Sequence, residues 1–62
     1  MYSNVDSIPN YNLSIGNLLM NKETKKPLGK LKHIYQDMFD INSYILCTDM
    51  NTFHSLNDIE IL

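Results

Sequence analysis

The sequence predicts a mainly β fold, a small barrel or curled sheet of about five short strands. Its apolar residues fall in short runs in which apolar and polar side chains alternate, and turn-forming residues separate these runs. The chain has no alanine, the best helix former, whereas β-branched and aromatic residues are plentiful. Sixty-two residues make one domain, whose small core leaves little stability in reserve.

Residues 1–12 are polar and turn-prone, and they precede a single barrel domain that we place at residues 13–62. Pro9 disfavours regular strand pairing in this first segment. Four apolar residues recur at every third position, namely Tyr2, Val5, Ile8 and Tyr11. This spacing predicts an extended N-terminal arm that lies against its own domain or against a neighbouring subunit. The alternative is a tail with scattered apolar residues.

Four segments of the barrel domain have a strand pattern: residues 13–21, 43–49, 52–56 and 59–61. In the first of them Gly16 allows a bulge, and a polar loop closed by Pro27 and Gly29 follows it. The second and third form a hairpin, because a polar turn at residues 49–51 separates them.

One stretch in the middle of the chain is compatible with two structures. Its apolar residues have the spacing of an amphipathic helix: Leu28, Leu31, Ile34, Tyr35, Met38 and Phe39. With Pro27 at the first helical position, this spacing indicates a helix near residues 28–40 and an α+β fold. Gly29 in the first turn and the mediocre helix formers that follow favour instead a strand at residues 30–35 and a turn at residues 36–42.

The order of these segments looks like a known strand plan. The segments are IGNLLMN, GKLKHIY, YILCTD, TFHSL and NDIEIL, at residues 15–21, 29–35, 44–49, 52–56 and 57–62. They resemble the strands of SH3-like small β-barrels, such as PRC-barrel, KOW-type and Tudor-like domains, and the resemblance implies a barrel over residues 13–62. It carries over no ligand residue, because the chain lacks the tryptophans and the aromatic cage of peptide-binding SH3 domains.

Common catalytic and cofactor-binding motifs are missing. With glycine only at positions 16 and 29, neither a phosphate-binding loop nor a dinucleotide fingerprint fits the sequence. Cys47 is the single cysteine and lies in an apolar run, so we expect a buried thiol and no disulfide within the chain. His33, Cys47 and His54 match no zinc-ligand spacing. We therefore predict no enzyme, no cofactor and no metal site.

The first candidate partner-binding site is a segment of eleven residues that contains every lysine: Lys22, Lys25, Lys26, Lys30 and Lys32. Residues 1–32 contain these five lysines and two acidic residues, Asp6 and Glu23, so their net charge is +3. Residues 33–62 carry a net charge of −5. The segment suits an acidic patch on a protein or, in the alternative function, a nucleic-acid backbone. The absence of arginine and the net charge of −2 weigh against nucleic acid.

Met38 and Phe39 form the second candidate partner-binding site. They lie between Asp37 and Asp40, in the segment that becomes a turn if residues 30–35 form a strand. Apolar side chains exposed in such a turn act as anchors at protein interfaces. If the segment is a helix, both side chains belong to the core.

Together these patterns predict a non-enzymatic protein-interaction module. We expect a homo-oligomer, because a small core without a disulfide gains stability when a copy covers its apolar arm or an open sheet edge. Eight asparagines, seven isoleucines and no arginine are typical of AT-rich genomes, which favours a small phage or low-GC bacterial regulator or inhibitor of a host protein. No stretch reaches the roughly 18–20 apolar residues of a membrane span, and a lone cysteine fits the cytoplasm, the host's own if a phage encodes the protein.

Overall fold

The computed structural model describes residues 1–62 and is mainly β, which confirms the predicted fold class. Its strands are β1 (Tyr2–Val5), β2 (Ser7–Ile8), β3 (Leu13–Ser14), β4 (Leu18–Asn21), β5 (Pro27–Asp37), β6 (Tyr44–Thr48), β7 (Phe53–Ser55) and β8 (Ile59–Ile61). Two short 3₁₀ helices, Pro9–Tyr11 and Leu56–Asp58, precede β3 and β8. The α+β alternative is wrong, because the segment near residues 28–40 is a strand and a turn.

All strand pairings are antiparallel. Five strands lie side by side in the order β7, β6, β5, β4, β8, and β1 pairs with the C-terminal half of β5 on the edge that faces away from β6. β2 and β3 form a separate hairpin. Because the buried side chains of both sheets meet in one cluster, the sheets curl around a single core.

The irregular pairing of β5 explains why its sequence also fitted a helix. Its register with β4 passes over Leu28 and its register with β6 passes over Lys32, so each of these is the extra residue of a β-bulge. A bulge shifts the alternation of side chains by one position. Leu28, Leu31 and Ile34 therefore all contact the core at a spacing of three, which imitates one face of a helix.

The first twelve residues belong to the same fold. β1 pairs with β5 along its whole length, and Ile8 of β2 is buried in the core. The segment therefore lies against its own domain and is not a tail. Pairing stops at Pro9, where a 3₁₀ helix begins. Tyr2 and Tyr11 remain more than half exposed.

Strand bounds differ from the predicted ones in two places. The strand expected at residues 13–21 is divided into β3 and β4, because Gly16 adopts a φ of 98° and turns the chain between them. The strand expected at residues 30–35 is longer, since β5 already begins at Pro27 and the turn begins only at Met38.

The core consists of seven buried aliphatic side chains: Ile8, Leu13, Leu19, Leu31, Ile34, Leu46 and Ile59. Thr48 is the one buried polar residue, and its hydroxyl lies 2.7 Å from the hydroxyl of Thr52, so burial leaves it with a hydrogen-bond partner. Cys47 is buried as expected, with a free thiol.

Candidate interaction surface

The outer face of the sheet at β1, β5, β6 and β7 is not covered by any other element of the chain. Ile34 and Leu46 point from β5 and β6 into the core, so the alternation of a strand turns their neighbours Tyr35 and Ile45 outward. These two residues are direct partners in the register of β5 and β6. The exposed face therefore has an apolar centre.

Four side chains, one from each of these strands, line a shallow hollow of about 400 Å³: Tyr2, Tyr35, Ile45 and Phe53. We call this set the apolar stripe. Phe53 is 66% exposed and Tyr2 is 52% exposed, whereas Tyr35 and Ile45 are half-buried between them. The ring of His33 lies beside that of Tyr35, with 5.8 Å between their centroids. The stripe runs across the sheet from the edge strand β1 to the edge strand β7.

The loop at residues 38–43 extends this apolar surface beyond the end of β5. Met38 and Phe39 both lie in the exposed turn, and Phe39 is 90% exposed. Polar groups hold the loop: Asp37 accepts a hydrogen bond from the Phe39 amide at 2.8 Å, and the Gln36 side chain donates to the Ile41 carbonyl at 2.9 Å. The apolar side chains of Met38, Phe39 and Ile41 are thus presented to solvent from an ordered turn.

The loop also adjoins the apolar stripe. The amide of Met38 donates a hydrogen bond of 3.0 Å to the carbonyl of Met1, directly before Tyr2. The acidic residues nearest to this end of the stripe are Asp37 and Asp40, and no lysine lies between residues 33 and 62. The end of the apolar surface at this loop is therefore acidic.

The five candidate lysines are distributed along the connection from β4 into β5. Lys22, Lys25 and Lys26 lie in the turn, and Lys30 and Lys32 are exposed on β5 itself. The Lys25 ammonium forms an ion pair of 2.8 Å with Glu60 of β8. One of the five positive charges is thus neutralised within the chain.

A polar hollow of about 720 Å³ lies at the same end of the molecule. Its lining residues are Asn21, Lys22, Glu23, His54, Asn57 and Asp58. The Lys22 amide donates to the Asp58 carbonyl at 2.9 Å, so the hollow lies where the β4–β5 turn meets the 3₁₀ helix before β8. No apolar side chain contributes to it, and it offers no anchor for a buried ligand.

The three metal-ligating residues considered from the sequence do not converge. His33 lies opposite Cys47 in the register of β5 and β6, whereas His54 lies opposite Leu46, whose side chain is in the core. Opposed residues share a face, so His54 is on the other face of the sheet from the first two. No group of three His, Cys, Asp or Glu side chains is placed to hold a metal ion.

Sequence reasoning missed most of the apolar stripe. The sequence pattern places Tyr35 either on the apolar face of a helix or in the strand at residues 30–35, and it places Ile45 and Phe53 in strands without a binding role. The signal is present only in part, because Tyr35 and Ile45 each neighbour a core position on the same strand, whereas the strand of Phe53 contains no core residue. Only the register of the strands brings the three onto one face.

No helix of the structure is both long and apolar enough to cross a membrane. Comparisons with protein-family models, curated proteins and solved structures found no significant match.

Proposed function

We propose that this protein is a non-enzymatic protein-interaction module that binds its partner through the apolar stripe, with Met38 and Phe39 as additional anchors. The observation that carries the proposal is the alignment of exposed apolar side chains across four strands, on a sheet face that nothing else covers. Contiguous apolar patches on small proteins mark interaction sites, and aromatic side chains supply most of the energy at such sites.

The charges around the stripe favour a partner with basic residues at the edge of an apolar surface. Asp37 and Asp40 lie beside Phe39, whereas Lys30 and Lys32 are exposed towards the other end of β5. A rim of opposite charge accelerates association, and this acceleration falls as salt rises. Size and composition favour a small regulator or inhibitor, encoded by a phage or a low-GC bacterium, that acts on a host protein in the host cytoplasm.

The stripe can be tested by affinity capture followed by direct binding measurements with the captured protein. We expect that Phe39→Ser combined with Phe53→Ser weakens binding at least about a hundredfold, because two aromatic anchors are lost. Ile15→Ser is the matched control, since Ile15 is 43% exposed in the turn between β3 and β4, away from the stripe. Equal binding by both variants would exclude the stripe as the binding surface.

The alternative function, a nucleic-acid-binding barrel that uses residues 22–32, has less support. The ammonium of Lys25 is engaged by Glu60, the chain has no arginine, and its net charge is −2. Size-exclusion chromatography of the protein with a mixed-sequence oligonucleotide at low salt tests the alternative. Co-elution that disappears in the variant Lys25→Glu, Lys26→Glu, Lys30→Glu would make the lysine segment the functional site.

A further inference from the structure

β1 has a free edge. It pairs with β5 alone, and no other strand lies on its far side. The Met38 amide donates a hydrogen bond to the Met1 carbonyl, so Met1 and Met38 form a hydrogen-bonded pair at the start of this ladder. In an antiparallel ladder, hydrogen-bonded pairs alternate with non-hydrogen-bonded pairs. Ser3 and Val5 therefore bond to β5, whereas the N–H and C=O groups of Tyr2 and Asn4 point away from the sheet.

Apart from its short length, this edge has none of the usual features that prevent pairing with another strand. Natural edge strands are protected by lysine, proline, a bulge or a covering segment. The residues of β1 include no charged side chain and no proline, and the register of β1 with β5 is regular. The other edge strands are shorter: β7 and β8 have three residues each, and β8 carries Glu60.

We propose that a second copy of this chain pairs with β1 in antiparallel orientation, with the two-fold axis at Ser3. The two outward-pointing residues, Tyr2 and Asn4, are placed symmetrically about Ser3, so an identical strand in reverse direction matches them. Tyr2 then lies opposite the partner's Asn4, and Asn4 lies opposite the partner's Tyr2. Each of these pairs exchanges two N–H···O bonds, which gives four bonds across the axis.

This pairing also joins the two outer faces. Tyr2 belongs to the apolar stripe and points to the same side of the sheet as Tyr35. In the dimer the stripes of both copies form one continuous surface across the two-fold axis. A contact of four strand residues is at the small end of protein interfaces, so we expect dimers at roughly micromolar concentrations.

The dimer goes beyond the proposed function and does not depend on it, because it uses the backbone of β1 whereas partner binding uses side chains of the stripe and the loop. Phe53→Ser should weaken partner binding and leave the dimer intact, since Phe53 is on the opposite edge strand. Failure of one proposal is therefore distinguishable from failure of the other.

The first test is sedimentation of the full chain over a range of concentrations, with proline variants at the two edges. Asn4→Pro removes an N–H that makes no bond within the chain, and we expect it to raise the dimer dissociation constant about tenfold or more. Ser55→Pro is the matched control on β7, where φ of Ser55 is −76° and already suits proline. Circular dichroism verifies that both variants are folded.

The second test is cross-linking under mild oxidation in a Cys47→Ala background. At the two-fold axis, Ser3 and the partner's Ser3 form a non-bonded pair with about 4.5 Å between Cα atoms, which suits a disulfide. Ser3→Cys should therefore cross-link efficiently. Asn4→Cys should not cross-link. Asn4 lies opposite the partner's Tyr2, so the two introduced cysteines would be two residues out of register.

Three results would overturn the proposal. They are a wild-type protein that stays monomeric at all concentrations, equal dimer dissociation constants for wild type and Asn4→Pro, and cross-linking through His54→Cys, at the centre of β7, in place of Ser3→Cys. A monomeric wild type would mean that the β1 edge is available only to an extended segment of another protein. Cross-linking through His54→Cys would mean that the dimer forms through β7.

Discussion

Gly16 and Gly29 have nearly the same backbone conformation, with φ of 98° and 101°, but their surroundings differ. A Cβ at Gly16 would meet no atom within 4 Å, whereas a Cβ at Gly29 would collide with the carboxylate of Asp49. This carboxylate accepts a hydrogen bond from the Lys30 amide at 3.1 Å, and the Asp49 amide donates to the Lys30 carbonyl at 2.9 Å. Gly29 thus allows the β6–β7 turn to be fixed on β5.

Alanine substitutions at the two glycines therefore measure two effects on stability. At Gly16 only the backbone is strained, whereas at Gly29 the new Cβ also collides with Asp49. We expect Gly16→Ala to lower the free energy of unfolding by about 1–2 kcal/mol, the cost of a left-handed conformation for a residue with a Cβ. Gly29→Ala should cost about 1–3 kcal/mol more, because the Asp49 carboxylate must move. Urea denaturation measures both values. Equal costs would mean that Asp49 relocates freely and does not fix the turn.

At the level of elements, the sequence predicts well those strands whose side chains alternate regularly between the two faces. It predicts poorly the strand whose alternation is interrupted by β-bulges. The residues assigned to β8 match its bounds, and those assigned to β6 and β7 match within two residues. β5 was ambiguous because its bulges at Leu28 and Lys32 depend on pairing with β4 and β6, which no local pattern encodes. The same reason explains which part of the candidate surface could be predicted. Met38 and Phe39 are neighbours in sequence, so the sequence identifies them as a pair. The apolar stripe forms only when four strands are in register, so the sequence does not reveal it.

Strand pairing also predicts which amides are protected from hydrogen exchange. The amides of Tyr35 and Leu46 point into the ladders with β6 and β7, so we expect them to exchange slowly. The amides of Tyr2 and Asn4 point to the free edge and should exchange fast in dilute protein. Exchange followed by NMR distinguishes these groups. An Asn4 amide as protected as that of Ser3 at the lowest concentration would contradict the deduced pattern of bonds.

The whole molecule combines a small core with an uneven charge distribution. Only seven aliphatic residues make up the buried cluster, and large apolar side chains remain exposed at both edges of the sheet. The ion pair between Lys25 and Glu60 lies at the surface and contributes at most about 1 kcal/mol. Stability in a chain of this size is therefore sensitive to any contact that covers apolar surface, and self-association is such a contact.

Thermal unfolding tests this coupling between assembly and stability. A dimer that forms only from folded chains makes the melting temperature rise with protein concentration. Over a roughly hundredfold range of concentration, we expect the melting temperatures of wild type and Ser55→Pro to rise together, since the substitution at Ser55 leaves β1 unchanged. Asn4→Pro should show a smaller rise over the same range, because its weaker dimer is less populated at each concentration. A flat response of all three proteins would show that association contributes nothing to the stability of the fold.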